Sequence, residues 1–91
     1  MRTFSITYRL AKVTEDPAPL LDRIKGFDSW WHDVDSVWMV ATNMTPVEIR
    51  DQLWTAMGDA GQLLVVEVTG QSWAHAGVND EGTAWLKAHL N

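Results

Sequence analysis

Three titratable residues stand close together near the middle of the chain, at His32, Asp33 and Asp35. Imidazole nitrogens and carboxylate oxygens bind divalent metals, and the same groups act as general acids and bases. In an extended strand Asp33 and Asp35 share a face and His32 points away, so all three converge only if a turn separates them. The competing interpretation is structural, because Asp side chains hydrogen-bond their own backbone in turns.

The other chemistry-bearing residues form no recognised catalytic spacing. The chain contains no cysteine, which excludes disulfides and thiolate metal sites. His75 and His89 lie far from His32 in sequence, and neither belongs to a motif such as H-E-x-x-H. There is no nucleophile elbow and no glycine-rich phosphate loop. We therefore expect no cofactor, except Mg²⁺ if acidic residues serve as ligands, and the sequence indicates no small-molecule substrate.

Composition and charge limit the classes of partner. The net charge of −5 disfavours a broad nucleic-acid interface, which depends on many Lys and Arg contacts to phosphate. The first 27 residues are nonetheless basic, which keeps nucleic-acid binding without cleavage open through Arg2, Arg9, Lys12, Arg23 and Lys25. No apolar segment approaches the ~20 residues of a membrane-spanning helix. Without cysteines or a signal-peptide pattern, we expect a cytoplasmic protein with no membrane contact.

Alternation of apolar and polar side chains predicts four β-strands. Residues 3–10 form a strand with one apolar and one polar face. Residues 29–33 and 36–42 form a hairpin that turns near residues 33–35, with the charged first strand at a sheet edge and the uncharged second strand inside. Residues 62–69 form the fourth strand.

Capping signals predict three helices. Asp16 precedes a proline, as at many helix N-termini. Thr45 and Glu48, with a proline between them, form a capping box. Asp80 is the predicted N-cap of a final helix, whereas residues 71–78 are either an edge strand or a loop. The predicted helices span residues 17–25, 46–57 and 81–90.

This order of elements predicts an α+β, ferredoxin-like βαββαβ fold in one domain, residues 1–91. Both main helices cover one face of a four-stranded antiparallel sheet whose first and third strands are central. The core comprises about residues 3–70, and residues 71–91 form a C-terminal appendage of an edge segment plus a helix.

Several short motifs carry a resemblance to a known family. They are Ile6-Thr7-Tyr8 at the end of strand one, Gly26 through Trp31, Asp35-Ser36-Val37-Trp38, the Thr45 helix cap, and Leu63 to Thr69. With the order of elements over about residues 3–90, they resemble the small ferredoxin-like nucleases of CRISPR adaptation, closest to SinR-type proteins of the Cas2-like/VapD-like group. This resemblance implies a homodimer.

One position departs from the family pattern. The family carries an Asp directly after the Tyr that ends strand one, and two such residues hold a divalent metal at the dimer interface. Here Arg9 follows Tyr8, and a guanidinium has no lone pair to offer Mg²⁺. We therefore expect a non-catalytic homodimer that acts through protein–protein contacts. The alternatives are a metal-dependent endonuclease with substitute acidic ligands, such as Asp33 and Asp35, and nucleic-acid binding without cleavage.

The expected dimer face is the side of the sheet that the two main helices leave open. Strand alternation predicts an ion pair on this face between Arg9 and Glu67. Adjacent Trp30 and Trp31 are expected to send one ring to each face of the sheet. The predicted lining of the open face is Thr3, Ser5, Thr7, Arg9, Trp38, Val40, Leu63, Val65 and Glu67.

Overall fold

The structure is a computed structural model that describes residues 1–12, 14–34 and 37–90, except for the side chain of Val34. Its elements are β1 (Arg2–Arg9), α1 (Ala18–Lys25), β2 (Ser29–Val34), β3 (Val37–Thr42), α2 (Pro46–Ala56), β4 (Gln62–Glu67) and α3 (Asp80–His89). The strands form one antiparallel sheet in the order β2-β3-β1-β4. The predicted α+β, ferredoxin-like arrangement is therefore confirmed, with the first and third strands at the centre.

The N-termini of α1 and α2 lie within one residue of their predicted positions. The N-cap of α1 is Pro17, one residue after the predicted Asp16, and the Asp16 Oδ1 atom accepts a 3.0 Å hydrogen bond from the Ala18 amide. The predicted capping box of α2 is present. Its Thr45 hydroxyl accepts from the Glu48 amide at 3.2 Å, and the Glu48 carboxylate accepts from the Thr45 amide at 3.0 Å. These contacts satisfy amides that the first helical turn leaves unpaired.

The main core lies between the sheet and the layer formed by α1 and α2. Both helices bury an apolar stripe, and β1 contributes the alternate residues of one face. The fully buried side chains of this core include Phe4, Ile6, Leu20, Ile24, Val40, Ile49 and Leu53. Burying one such side chain contributes roughly 1.5–3 kcal/mol, so this layer accounts for most of the hydrophobic stabilisation.

The C-terminal segment packs on the opposite face of the sheet. Residues 71–78 contain no strand, and the N-cap of α3 is Asn79 rather than the predicted Asp80. Leu86 and Leu90 of α3 pack with Met39 in a second, smaller apolar cluster. The appendage is therefore a third layer over part of the sheet. No helix in the described ranges is long and apolar enough to cross a membrane.

Hydrogen bonds fasten this third layer at the C-terminal end and in the middle of α3. The Thr3 hydroxyl donates to the carbonyl oxygen of His89, and the Gly70 amide donates to that of Leu90 at 2.9 Å. In the middle of the helix, the Trp85 indole N–H donates to the Ser29 hydroxyl at 2.9 Å. The helix is thus tied to β1, to β2 and to the segment after β4.

Candidate interaction surface

The strand register decides which side chains share the face opposite α1 and α2. Thr7 of β1 lies opposite Val37 on one side and Leu64 on the other, and Ser5 lies opposite Val66. Residues directly opposite each other in antiparallel strands project from the same face of a sheet. The alternate residues of β1, β3 and β4 therefore form a continuous second face.

The C-terminal layer covers about half of this second face. Thr3, Met39 and Ala41 are buried on the covered side. Leu64 and Val66 on the uncovered side remain 61% and 44% exposed. We name the uncovered side the open half-face, and it consists of Ser5, Thr7, Arg9, Val37, Leu64 and Val66.

The predicted orientation of β3 was wrong. Trp38 and Val40 lie opposite Ile6 and Phe4 and point into the main core, where they are 4% and 0% exposed. Both faces of β3 are apolar, because Met39 and Ala41 are also buried, so alternation alone could not show which face meets the helices. Trp38 and Val40 are therefore core residues and cannot line a surface for a partner.

The predicted orientation of β4 was also wrong, because the residues expected on its two faces are exchanged. Leu63 and Val65 pack against the main core, whereas Leu64 and Val66 point to the other face. Glu67 lies opposite Phe4 and consequently belongs to the helix-covered side. A shift of one residue reverses every side chain of a strand, and a run of four apolar residues gives no signal to fix it.

The ion pair predicted between Arg9 and Glu67 is therefore not formed. Glu67 instead accepts two hydrogen bonds from Arg2, at 2.8 Å from Nη2 and 3.1 Å from Nε. These hydrogen bonds lower the pKa of Glu67 and raise that of Arg2. Arg9 and Thr7 are exposed on the second face, as the alternation in β1 indicated.

Acid is expected to remove part of the stability through Glu67 and Glu48. The Thr45 amide lowers the pKa of Glu48, as Arg2 does for Glu67. A carboxyl group with a lowered folded-state pKa stabilises the fold above its unfolded value, and that stabilisation is lost as the pH falls through the folded value. We expect the melting temperature to fall by a few degrees as the pH drops below 4.5, the ordinary value of both groups.

Thermal unfolding followed by circular dichroism over a pH series measures this loss. The double variant Glu48→Gln/Glu67→Gln should melt at a lower temperature at neutral pH and should show a flatter pH profile. An unchanged pH profile in the double variant would mean that other groups cause the acid sensitivity.

The structure describes two of the three candidate acid–base residues, His32 and Asp33. His32 stacks on Trp38, with ring centroids 4.0 Å apart, and its Nδ1 atom lies 2.9 Å from the Val37 carbonyl oxygen. Since that oxygen can only accept, Nδ1 carries the hydrogen and donates it. Asp33 is exposed at a bulge in β2, and Asp35 lies outside the described residues. Within the described ranges, no three His, Cys, Asp or Glu side chains are placed to hold a metal.

The two adjacent tryptophans project to opposite faces, as predicted. Trp30 lies opposite Val40, and its ring packs beside the Trp38 ring with the two ring centroids 5.4 Å apart. Trp31 lies opposite Met39 and packs in the cluster beneath α3. Neither ring belongs to the open half-face.

The basic residues of the first 27 positions are dispersed over the surface. Arg2 is paired with Glu67, and the Lys25 Nζ atom lies 5.5 Å from the Trp30 ring centroid on the helix-covered side. Arg9 projects from the opposite face of the sheet. Arg9 therefore does not share a face of the sheet with Arg2 and Lys25.

Sequence reasoning missed the contact that seats the C-terminal layer. Gly82 of α3 lies against the Trp31 ring so closely that an added Cβ would be 2.7 Å from the ring atoms. A glycine inside a predicted helix is a signal for such a close approach.

Comparisons of the chain with protein-family models, with curated proteins and with solved structures found no match to any of them.

Proposed function

We propose that this chain is a non-catalytic homodimeric protein that acts through protein–protein contacts, with its dimer interface on the open half-face. The observation that carries this proposal is the exposure of Leu64 and Val66, which are 61% and 44% accessible on neighbouring positions of one face. Thr7 and Ser5 lie beside them and add no charge. Exposed, adjacent apolar side chains of this kind mark contact surfaces.

A second copy of the chain is the partner that best suits this surface. In a two-fold symmetric interface each residue near the axis meets its own copy, which suits Leu64 and Val66 and disfavours a charged group. Arg9 is the charged member of the open half-face, and Glu67 lies on the other side of the sheet and cannot neutralise it. We therefore place the axis near Leu64 and Val66, with Arg9 at the rim in contact with water.

Two features support a role without catalysis. Arg9 stands where the Cas2-like resemblance implies a metal-binding Asp, and its guanidinium cannot be a ligand. Asp33 lies on β2, at the opposite edge of the sheet from β4, which carries Leu64 and Val66. A substitute carboxylate at that position would thus be remote from the proposed two-fold axis.

Membership of the Cas2-like/SinR-like group is part of the same proposal. It is supported by the βαββαβ order of elements, which is the order that the resemblance implies. It predicts a homodimer, and the oligomeric state therefore tests it together with the interface.

Substitution of Leu64 by lysine tests the interface. We expect the unmodified protein to be a dimer at tens of micromolar in sedimentation velocity or light scattering. Because the substitution occurs twice in a symmetric dimer and places a charge on an apolar contact, Leu64→Lys should raise the dimer Kd about tenfold or more.

Val47→Lys provides the matched control. Val47 is 55% exposed on α2, on the other side of the sheet, so its substitution introduces the same charge outside the interface. This variant should dimerise like the unmodified protein. A monomeric unmodified protein, or equal weakening by both substitutions, would overturn the proposed interface.

A further inference from the structure

A groove of about 630 Å³ lies between α3 and the outer edge of β2. One wall is Trp30 to Asp33, four consecutive residues, and the other is formed by Asn79, Glu81, Ala84 and Trp85. Trp30 and Trp31 project to opposite faces of the sheet, yet both line the groove. The groove therefore follows the edge of the strand rather than one face of it.

The backbone along this groove is an unpaired strand edge. β2 is the terminal strand of the sheet, so only one of its two edges is hydrogen-bonded to a neighbouring strand. Its pairing with β3 is regular from Ser29 to His32, and the bulge at Asp33 interrupts only the last part. Unpaired backbone N–H and C=O groups in such an edge are a template for an additional strand.

The walls of the groove combine aromatic rings with negative charge. Trp31 and Trp85 are half-buried, and Trp85 is held by its hydrogen bond to Ser29 and by stacking on His89 at 4.1 Å. Asp33 and Glu81 are exposed carboxylates, and no Lys or Arg is among the lining residues.

Two positive groups near the groove are the N-terminus of α3 and Lys25, and neither repels a cation that enters from the α3 side. The N-terminus of α3 carries a partial positive charge, and Asp80 and Glu81 in its first turn counter it. Lys25 lies over Trp30 on the helix-covered side, the side remote from α3. A cation that enters from the α3 side therefore meets carboxylates and indole faces, which both attract it.

We propose that this groove binds a basic, extended peptide segment of a partner protein, which adds to β2 as a fifth strand. A lysine or arginine of the peptide lies between the Trp31 and Trp85 rings and the carboxylates of Asp33 and Glu81. The peptide backbone pairs with the regular part of β2. This binding site is separate from the open half-face and does not depend on the proposed dimer.

An acetylated octapeptide of alternating threonine and lysine serves as the probe, titrated into isotope-labelled protein and followed by amide and indole NMR signals. We expect the amides of residues 29–33 and the indole signals of Trp31 and Trp85 to shift. The same peptide with glutamate for lysine should bind at least ~10-fold more weakly, because the charges then repel. N-methylation of alternate amides should also abolish binding, because it removes backbone donors while keeping the charge.

Carboxylate substitutions locate the cation. Asp33→Asn with Glu81→Gln should weaken binding of the lysine peptide about tenfold. Asp22→Asn, which removes an exposed carboxylate of α1 beyond the other face of the sheet, should leave the affinity unchanged.

Four results of the peptide titrations would overturn this proposal, and a fifth can appear without peptide. They are no binding at millimolar peptide, equal affinity for the glutamate or N-methylated peptide, equal weakening by the control substitution, and shifts centred on Leu64 and Val66. Shifts at residues 29–33 that depend on protein concentration without peptide would mean that a second copy of the chain occupies the edge, which also contradicts it.

Discussion

Replacement of Gly61 by alanine is expected to destabilise the protein by about 3–5 kcal/mol. Gly61 connects α2 to β4 with a φ of +97°, a backbone conformation that L-residues with a side chain rarely adopt. A Cβ there would lie within 3.0 Å of the Arg9 carbonyl oxygen and 3.1 Å from the Ala11 amide nitrogen. Both atoms belong to the backbone, so β1 itself would have to move away from β4.

Gly58→Ala separates the two contributions to this loss. Gly58 also has a positive φ, of +71°, but an added Cβ would meet nothing within 4 Å. Its substitution should therefore cost only the backbone strain, about 1–2 kcal/mol. Urea unfolding of both variants measures the difference. Equal losses at the two positions would show that the approach of Gly61 to β1 contributes nothing to stability.

Residues with a short-range role were predictable from the sequence. Thr45 and Glu48 form their capping box within four residues, so the pattern contains all of the participants. The strand β1 has one apolar and one polar face, which fixed the orientation of Phe4 and Ile6 toward the helices. The order of elements then left few ways to arrange the sheet.

The surface available to a partner was less predictable, because it depends on long-range register. Trp38 and Val40 of β3 and Val65 of β4 lie in strands whose two faces are both apolar. Either face of such a strand is apolar enough to be buried against the helices, and only the pairing of the strand with β1 decides which one is. The position of Leu64 on the open half-face follows from that pairing.

Coverage of the second face could not be derived from the main fold either. A ferredoxin-like domain requires no third layer, and the pattern of residues 71–78 is too irregular to indicate their path. The contacts of α3 with the sheet are long-range, and Gly82, for example, lies against Trp31, 51 positions earlier in the sequence. The position of α3 in turn decides which half of the face is left for a partner.

Replacement of Gly82 by valine is expected to cost about 3 kcal/mol and to displace α3 from the sheet. An added Cβ would be 2.7–2.8 Å from three atoms of the Trp31 ring, which is confined beneath α3. Helix propensity does not explain a loss, because valine is slightly better than glycine in a helix interior. The expected destabilisation is therefore a measure of the close packing between α3 and β2.

Urea unfolding and amide hydrogen exchange in α3 measure this effect, and Ala88→Val is the control. Ala88 is exposed on the same helix, so its substitution adds a β-branched residue without a clash and should cost only ~0.5 kcal/mol. In Gly82→Val, protection of the α3 amides should fall while that of β1 and β3 is largely kept, because the main core lies on the other face. If Gly82→Val were no less stable than Ala88→Val, or if α3 kept its protection, the contact with Trp31 would not be what holds the C-terminal layer in place.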